Sequence, residues 1–92
     1  EGMILSNEPG YYKKDNFGIR IENLVYVKKS KHKLYFKNLT LAPLETELIN
    51  HKLLTKREKD YLLKYHLNIY SEFSKSLNKN ERKWLASTIQ HF

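Results

Sequence analysis

Residues 6–24 read SNEPGYYKKDNFGIRIENL, and the predicted fold is built around this stretch. The pattern predicts two β-strands joined by a loop centred near Asp15, with Glu8 on the first strand and Glu22 on the second. In an antiparallel pair whose opposed residue numbers sum to 30, Glu8 faces Glu22. Opposed side chains point to one face of the sheet, with Cβ atoms about 4.5–5.5 Å apart. Two carboxylates that close repel each other unless one is protonated or a cation lies between them.

Glu8 and Glu22 are therefore candidate metal ligands. Carboxylates suit hard divalent ions such as Mn²⁺ or Mg²⁺, and the chain contains no cysteine for a thiolate site. Arg20 precedes Glu22 by two residues on the same face, where its guanidinium can orient a carboxylate. On spacing alone, the commoner alternative is a pair of solvated glutamates, or glutamates paired with Arg or Lys.

Two oxygen-donor residues are too few for a dinuclear metal site. None of the four histidines has a convincing ligand spacing: His32, His51, His66 and His91. The chain also lacks an H-E-x-x-H motif, a glycine-rich phosphate loop and a G-x-S-x-G motif. We do not expect these residues to form a complete active site by themselves.

The chain has 92 residues, enough for one small domain or for part of a larger one. It opens on the apolar run GMILS, without an initiating methionine or a signal peptide. We therefore expect it to be the C-terminal piece of a longer protein. No apolar run approaches the roughly 20 residues that span a bilayer, so we expect no membrane partner. The absence of cysteine fits a reducing compartment.

The net charge is +7, from 17 lysines and arginines against 10 acidic residues. A nucleic-acid partner is one interpretation of this excess, with the basic run Lys28–Lys33 and the tyrosines as its candidate contacts. The simpler interpretation is that lysine is this protein's usual surface residue, because the lysines are scattered rather than grouped in one stripe. No RNA- or DNA-binding motif is present, so we expect no nucleic-acid partner.

The remaining pattern predicts strands first and helices last, an α+β fold. We expect a buried strand at Gly2–Ser6, a loop at 11–18 and a long strand at Ile19–Val27. A basic hairpin tip at Lys28–Lys33 then leads into the returning strand Leu34–Leu41. We assign residues 1–43 to the strands and residues 44–92 to a helical extension packed on them as one structural unit.

Two helices are predicted in the second half, after a connector with one helical turn near residues 45–49. The first helix begins at the capping-box pair Thr55 and Glu58. The second is predicted from Glu81 to about Gln90, with Asn78 and Glu81 as its candidate capping pair. Helical spacing places one set of residues inward: Leu62, Tyr65, Ile69 and Phe73 in the first helix, and Trp84, Leu85 and Ile89 in the second.

The residues of these segments also carry a resemblance to a known family. SNEPGYY at 6–12 followed by FGIRIENL at 17–24 is similar to the C-terminal part of the catalytic domain of aminopeptidase P. This is the Xaa-Pro aminopeptidase of the creatinase/methionine-aminopeptidase family, which has the pita-bread fold. The tail agrees, with LTLAPLE as the last strand, YLxxYH within a helix and ERxWL near the end. The resemblance covers essentially the whole chain, and the tail resembles the three-domain form of the enzyme.

The resemblance implies a dinuclear metal centre, usually of manganese with zinc or cobalt as alternatives, built from two Asp, one His and two Glu. Glu8 matches a ligand to one metal, and Glu22 matches the ligand that bridges both. The Asp pair and the His lie upstream in the family, and this chain does not contain them. Arg20 matches an arginine beside the ligands, and Glu8 matches a residue assigned proton transfer. Glu8 and Arg20 are therefore the candidate catalytic residues.

The implied activity is metal-assisted hydrolysis of the peptide bond between any first residue and a following proline. The resemblance further implies a cytoplasmic homodimer, and these 92 residues alone are expected to be inactive. The alternative is a relative that has lost catalysis and acts as an interaction or dimerisation module. One departure from the family is the basic loop Lys13–Asn16, where relatives more often carry acid and glycine.

Overall fold

A computed structural model describes residues 1–89 of the chain. It has two compact units, a strand unit at Glu1–Leu41 and a helical unit at Ala42–Phe92. The strand unit contains β1 Ile4–Asn7, β2 Gly10–Lys13, β3 Phe17–Arg20, β4 Asn23–Ser30 and β5 Lys33–Asn38. The helical unit contains 3-10 turns at Thr46–Leu48, His51–Leu53 and Ser74–Ser76, and the α-helices α1 Lys56–Phe73 and α2 Lys79–Ile89. Antiparallel strands precede two helices, and the predicted α+β fold class is confirmed.

The first half of the strand unit is a long antiparallel hairpin with a break in the middle. β1 pairs with β4 in the register that places Asn7 opposite Asn23. β2 pairs with β3 in the register that places Gly10 opposite Arg20. In both ladders the opposed residue numbers sum to 30, so the predicted register is confirmed. Pro9 has no N–H group to donate to a ladder, which accounts for a break between β1 and β2.

Two predicted features of this hairpin are wrong. Residues 11–18 are not a loop, because β2 and β3 continue on both sides of a short turn at residues 14–16. Asp15 has a φ of 57°, a left-handed conformation that Asp tolerates in tight turns. The aromatic residues on either side favour extended backbone, which outweighs the turn-forming residues between them. The predicted strand Ile19–Val27 is interrupted at residues 21–22, between β3 and β4.

A second hairpin joins β4 to β5 through a two-residue turn, Lys31-His32, in which Lys31 has a φ of 54°. The two strands therefore extend into the segment Lys28–Lys33, which the sequence predicts as a tip. β5 ends at Asn38 instead of continuing to Leu41. Beyond it, the Thr40 hydroxyl takes over as acceptor for a backbone N–H of β4, at 2.8 Å.

The strand unit has little core of its own. Val25 in β4 is its buried hydrophobic residue, with 8% of its surface exposed. The expectation of a buried strand at Gly2–Ser6 is wrong, since Met3 is 63% and Ile4 is 60% exposed. The described residues 1–41 form strands and turns. The apolar faces of a single layer of strands stay exposed unless another layer packs against them. An apolar run in the sequence predicts a strand, but it does not show which other part of the protein covers that strand.

Reciprocal caps begin both helices of the helical unit. The Glu58 N–H donates to Thr55 Oγ1 at 3.1 Å, and the Thr55 N–H donates to Glu58 Oε2 at 2.9 Å. Asn78 and Glu81 form the same pair of bonds, at 2.8 and 2.9 Å. Both predicted caps are confirmed, although α2 begins at Lys79, earlier than predicted. The predicted end near residue 90 lies outside the described residues.

One side of each helix forms the core of the helical unit. The buried residues are Leu62, Tyr65, His66 and Ile69 on α1, and Leu85 and Ile89 on α2. Two predicted core residues are wrong, since Phe73 is 40% and Trp84 is 65% exposed. Trp84 lies about 100° around the helix from Leu85 and farther from Ile89, so it lies outside the face that these two residues bury. Within residues 1–89, neither helix is long and apolar enough to cross a membrane.

Candidate metal centre

Glu8 and Glu22 lie at the break between the two ladders of the long hairpin. Glu8 follows β1, and Glu22 precedes β4. The ladder pairs on either side share one register, and continuing it places the two glutamates opposite each other. Both line one surface cavity of about 180 Å³, together with Ser6, Asn23, Leu24 and Thr40. The structure therefore brings the two candidate ligands to one site.

Backbone restraints hold both sides of this cavity. Pro9 favours extended geometry at the residue before it, which is Glu8. Behind Glu22, the Leu24 N–H donates to Thr40 Oγ1 at 2.8 Å, and the Leu24 carbonyl accepts from the Leu39 N–H at 2.8 Å. The backbone on the Glu22 side is thus tied to the segment that follows β5.

Arg20 lies beside Glu22, as the sequence predicts. The Nε atom of Arg20 is 3.7 Å from Oε2 of Glu22, and each side chain is 47% exposed. This distance is longer than a hydrogen bond, and water screens a half-exposed ion pair, so we assign it at most about 1 kcal/mol of stability. The contact therefore contributes little to the stability of the fold.

Tyr12 is a neighbour of the site that the sequence interpretation missed. A Cβ atom added to Gly10 would lie 2.9 Å from Tyr12 Oη, and one added to Gly18 would lie 2.8 Å from Tyr12 Cδ1. The Tyr12 ring therefore occupies the space that side chains at Gly10 and Gly18 would fill. The same added Cβ on Gly18 would lie 3.5 Å from Arg20 Nη1, so ring and guanidinium share this face of the hairpin. The available signal was that Gly10 and Tyr12 are two positions apart, as are Gly18 and Arg20, so each pair lies on one face of its strand.

The donor set suits part of a metal site. Two adjacent carboxylates offer only acceptor oxygens, which are the ligands that hard divalent cations prefer. Within residues 1–89, no group of three or more His, Asp or Glu residues is arranged to hold a metal ion. Glu8 and Glu22 fit a divalent cation chemically, and further ligands have to come from other residues.

The three described histidines do not line this cavity. His66 is fully buried on α1, where its Nε2 accepts a hydrogen bond from the Leu44 N–H at 3.0 Å. Burial lowers the pKa of His66 below its ordinary value, against the opposing effect of a backbone hydrogen bond with Ile89. His32 lies in the turn between β4 and β5, and His51 begins a 3-10 turn. His91 lies outside the described residues.

Comparison with protein families identifies the class of protein. Residues 1–29 match the model of metallopeptidase family M24, and residues 32–92 match that of the C-terminal region of peptidase M24. The chain belongs to metallopeptidase family M24. Together the two models cover nearly the whole chain, including both segments on which the sequence resemblance rests, and that resemblance is confirmed.

Individual relatives are aminopeptidases. The chain is 41% identical to the probable Xaa-Pro aminopeptidase P of Sclerotinia sclerotiorum, across 97% of this chain and 16% of that protein. It is 39% identical to Xaa-Pro aminopeptidase app-1 of Caenorhabditis elegans, across 96% of this chain and 16% of the relative. The chain thus spans about one sixth of the length of these relatives.

A solved structure extends the likeness to the fold. The X-prolyl aminopeptidase from Caenorhabditis elegans, described as a cytosolic enzyme with a di-nuclear active site, matches with a TM-score of 0.76 and 34% sequence identity. The match covers 94% of this chain and 16% of that chain. The strands and helices described above are therefore the arrangement found in part of that enzyme.

Proposed function

We propose that the protein containing these residues is a dinuclear metalloaminopeptidase that removes the first residue from peptides with proline in second position. The observation that carries the proposal is the confirmed register, with Glu8 and Glu22 lining one cavity at the break between ladders. Family membership and the aminopeptidase relatives support the same activity. The chain supplies two ligands, and two Asp and one His from upstream residues complete the site.

Glu8 and Glu22 are the residues of this chain that hold metal. Together with the upstream Asp and His residues, both carboxylates would hold the two ions. When bound, two divalent ions lower the pKa of a water molecule and polarise the scissile carbonyl. Glu8 would also transfer a proton, for which its exposed position in the lining of the cavity is suitable. Arg20 orients the Glu22 carboxylate through the contact at 3.7 Å.

Finer assignments follow from this proposal. Manganese is the expected metal, with zinc or cobalt as alternatives, because the two proposed ligands are hard oxygen donors. We expect a cytoplasmic homodimer whose substrate is a peptide, without a nucleic-acid or membrane partner. Residues 1–43 form the end of the catalytic domain and residues 44–92 a helical extension. The 92 residues alone are expected to be inactive.

The test uses the full-length protein with the substitution Glu22→Gln, which removes the charge of a bridging ligand at nearly constant size. We expect metal content measured by elemental analysis to fall below two ions per chain, and cleavage of an Xaa-Pro peptide to be lost. The matched control is Glu72→Gln on the exposed side of α1, which should leave both measurements unchanged. Full activity and two bound ions in Glu22→Gln would show that this residue is not a ligand.

A further inference from the structure

A second cavity lies wholly within the helical unit, and none of its lining residues belongs to the proposed metal site. Its volume is about 420 Å³, within the range of pockets that bind ligands. One wall is the connector at residues 43–47, and the other is α2, which contributes Trp84, Ser87 and Thr88. Trp84 is 65% exposed. We call this cavity the Trp84 cleft.

Buried contacts hold both walls of the Trp84 cleft. The Tyr65 hydroxyl donates to the Ala42 carbonyl at 2.7 Å, and the Leu44 N–H donates to His66 Nε2 at 3.0 Å, so α1 anchors the connector. Leu85 and Ile89 fix the inner side of α2, each with 5% of its surface exposed. A ligand would enter a preformed cleft, without the entropic cost of ordering its walls.

The lining of the cleft is acidic in a chain whose net charge is +7. Glu45 and Glu47 both line it, and neither carboxylate forms an ion pair or side-chain hydrogen bond within residues 1–89. No lysine or arginine lies in the lining. The cleft therefore combines two uncompensated negative charges with a large aromatic side chain.

The hydroxyl groups of the cleft also favour a donor as ligand. Ser87 Oγ and Thr88 Oγ1 donate to the Trp84 carbonyl at 2.7 and 2.9 Å. Their hydrogens are thus used within the helix, and their oxygens remain as acceptors. Carboxylates, hydroxyl oxygens and an indole ring together suit a group that is cationic and rich in N–H donors.

We propose that the Trp84 cleft binds the side chain of an arginine or lysine from a basic peptide segment of a partner protein. The cation would lie on the Trp84 ring and pair with Glu45 and Glu47, and arginine is preferred because its planar guanidinium both stacks and bonds carboxylates. An apolar occupant would bury two unpaired carboxylates at a large cost in free energy, and an acidic occupant would be repelled. Charge complementarity therefore selects a basic partner.

The test measures peptide binding to the full-length protein by fluorescence anisotropy. The probe is a fluorescein-labelled, N-acetylated peptide of sequence GRGRG, and the matched probe is GQGQG. Acetylation blocks the free amino terminus, so that binding as an aminopeptidase substrate does not contribute. We expect saturable binding of the arginine probe that weakens with salt, as ion pairs between exposed groups do, and no saturation with the glutamine probe.

Variants assign the binding to this cleft. The double substitution Glu45→Gln and Glu47→Gln should weaken binding of the arginine probe about tenfold or more, and Trp84→Leu several-fold, through loss of ion pairs and of the cation–π contact. Glu72→Gln outside the cleft is the control and should bind like the wild type. All four positions are exposed, so circular dichroism should show unchanged helix content.

Three results would overturn the proposal. Equal binding of the two probes would show that charge is not recognised. Wild-type affinity in the double variant would place the binding elsewhere. No saturation up to about 1 mM probe would mean that another part of the protein, or a second copy, already fills the cleft. The proposal is independent of the metal site, since its readout is binding and not peptide cleavage.

Discussion

The strand unit and the helical unit use their apolar residues in different ways. In the strand unit Val25 is the buried hydrophobic residue, while Tyr11 and Tyr12 are 63% and 64% exposed. The helical unit instead buries residues from both of its helices, with Ile69 only 1% exposed. The candidate metal ligands lie in the strand unit, which has little core, and most of the buried residues lie in the helical unit. Placement of the glutamates therefore depends on strand register, proline and glycine positions, and not on a hydrophobic core around them.

The largest expected effect comes from the strand unit and concerns activity. In the full-length protein, Glu8→Ala should reduce Xaa-Pro peptide cleavage by about 10³-fold or more, because even residues that merely support metal ligands cost about 10–100-fold. The thermal unfolding midpoint measured without added metal should change little, since residues 1–20 are exposed. A large fall in that midpoint would contradict the division of roles between the two units.

The helical unit should show the reverse behaviour. Ile69→Ala removes a side chain that is 1% exposed, and we expect a loss of about 2–5 kcal/mol in the free energy of unfolding, measured with urea. Leu53→Ala, at a position that is 79% exposed, is the control and should change stability by less than about 0.5 kcal/mol. Similar losses for the two variants would mean that Ile69 is not at the centre of the core.

Gly18→Ala tests whether the position of Tyr12 in the strand unit affects the activity. The new methyl group would lie 2.8 Å from Tyr12 Cδ1, so the Tyr12 ring must move from its position beside Arg20. We expect peptide cleavage to fall about tenfold, at the low end for a group that supports a ligand through a neighbour. In a Tyr12→Ala background the same substitution has no ring to displace and should cost little further activity. An equal loss of activity in the wild-type and Tyr12→Ala backgrounds would show that displacement of the Tyr12 ring is not the cause.

The smallest effect concerns the pH dependence of stability in the helical unit. Burial lowers the pKa of His66 in the folded chain, so the unfolded chain takes up its proton first as the pH falls. The His66 contribution is therefore complete above the unfolded pKa of about 6.5 and is lost progressively as pH falls toward the folded value. For one proton, the change over the half unit below pH 6.5 is at most about 0.7 kcal/mol.

Urea unfolding at a series of pH values measures this effect. His66→Gln should flatten the fall in stability below pH 6.5, whereas His32→Gln in the exposed β4–β5 turn should leave it unchanged. A wild-type chain whose stability rises on acidification through this range would reverse the sign that burial requires. Burial of His66 would then not account for the pH dependence of the helical unit.

Features of the fold that depend on neighbours in sequence could be predicted well. The register around Asp15 follows from the alternation of side chains and from the turn, and it places Glu8 opposite Glu22. Both helix starts follow from capping pairs three residues apart, because those bonds are local to one turn. The boundaries failed where two local tendencies compete, as at residues 11–18, where aromatic residues extend the hairpin into a segment rich in turn formers.

Features that depend on distant packing could not be predicted in the same way. Trp84, expected in the core, is exposed, and His66, which was not predicted in the core, is fully buried. Helical periodicity places residues on faces, but the face that packs is chosen by the partner helix and the connector. Tyr12 was missed for a related reason. Its ring lies next to Gly10 and Gly18 only because β2 and β3 pair, and this contact cannot be seen in the sequence.

The sequence by itself determined the order of strands and helices, the hairpin register, the helix caps and the pairing of two glutamates. These depend on backbone sterics, side-chain alternation and hydrogen bonds between residues that the chain already holds close together. Only the tertiary structure decided which residues are buried and how the Trp84 cleft forms. Burial is a property of the surfaces that meet, and residues far apart in the chain supply those surfaces.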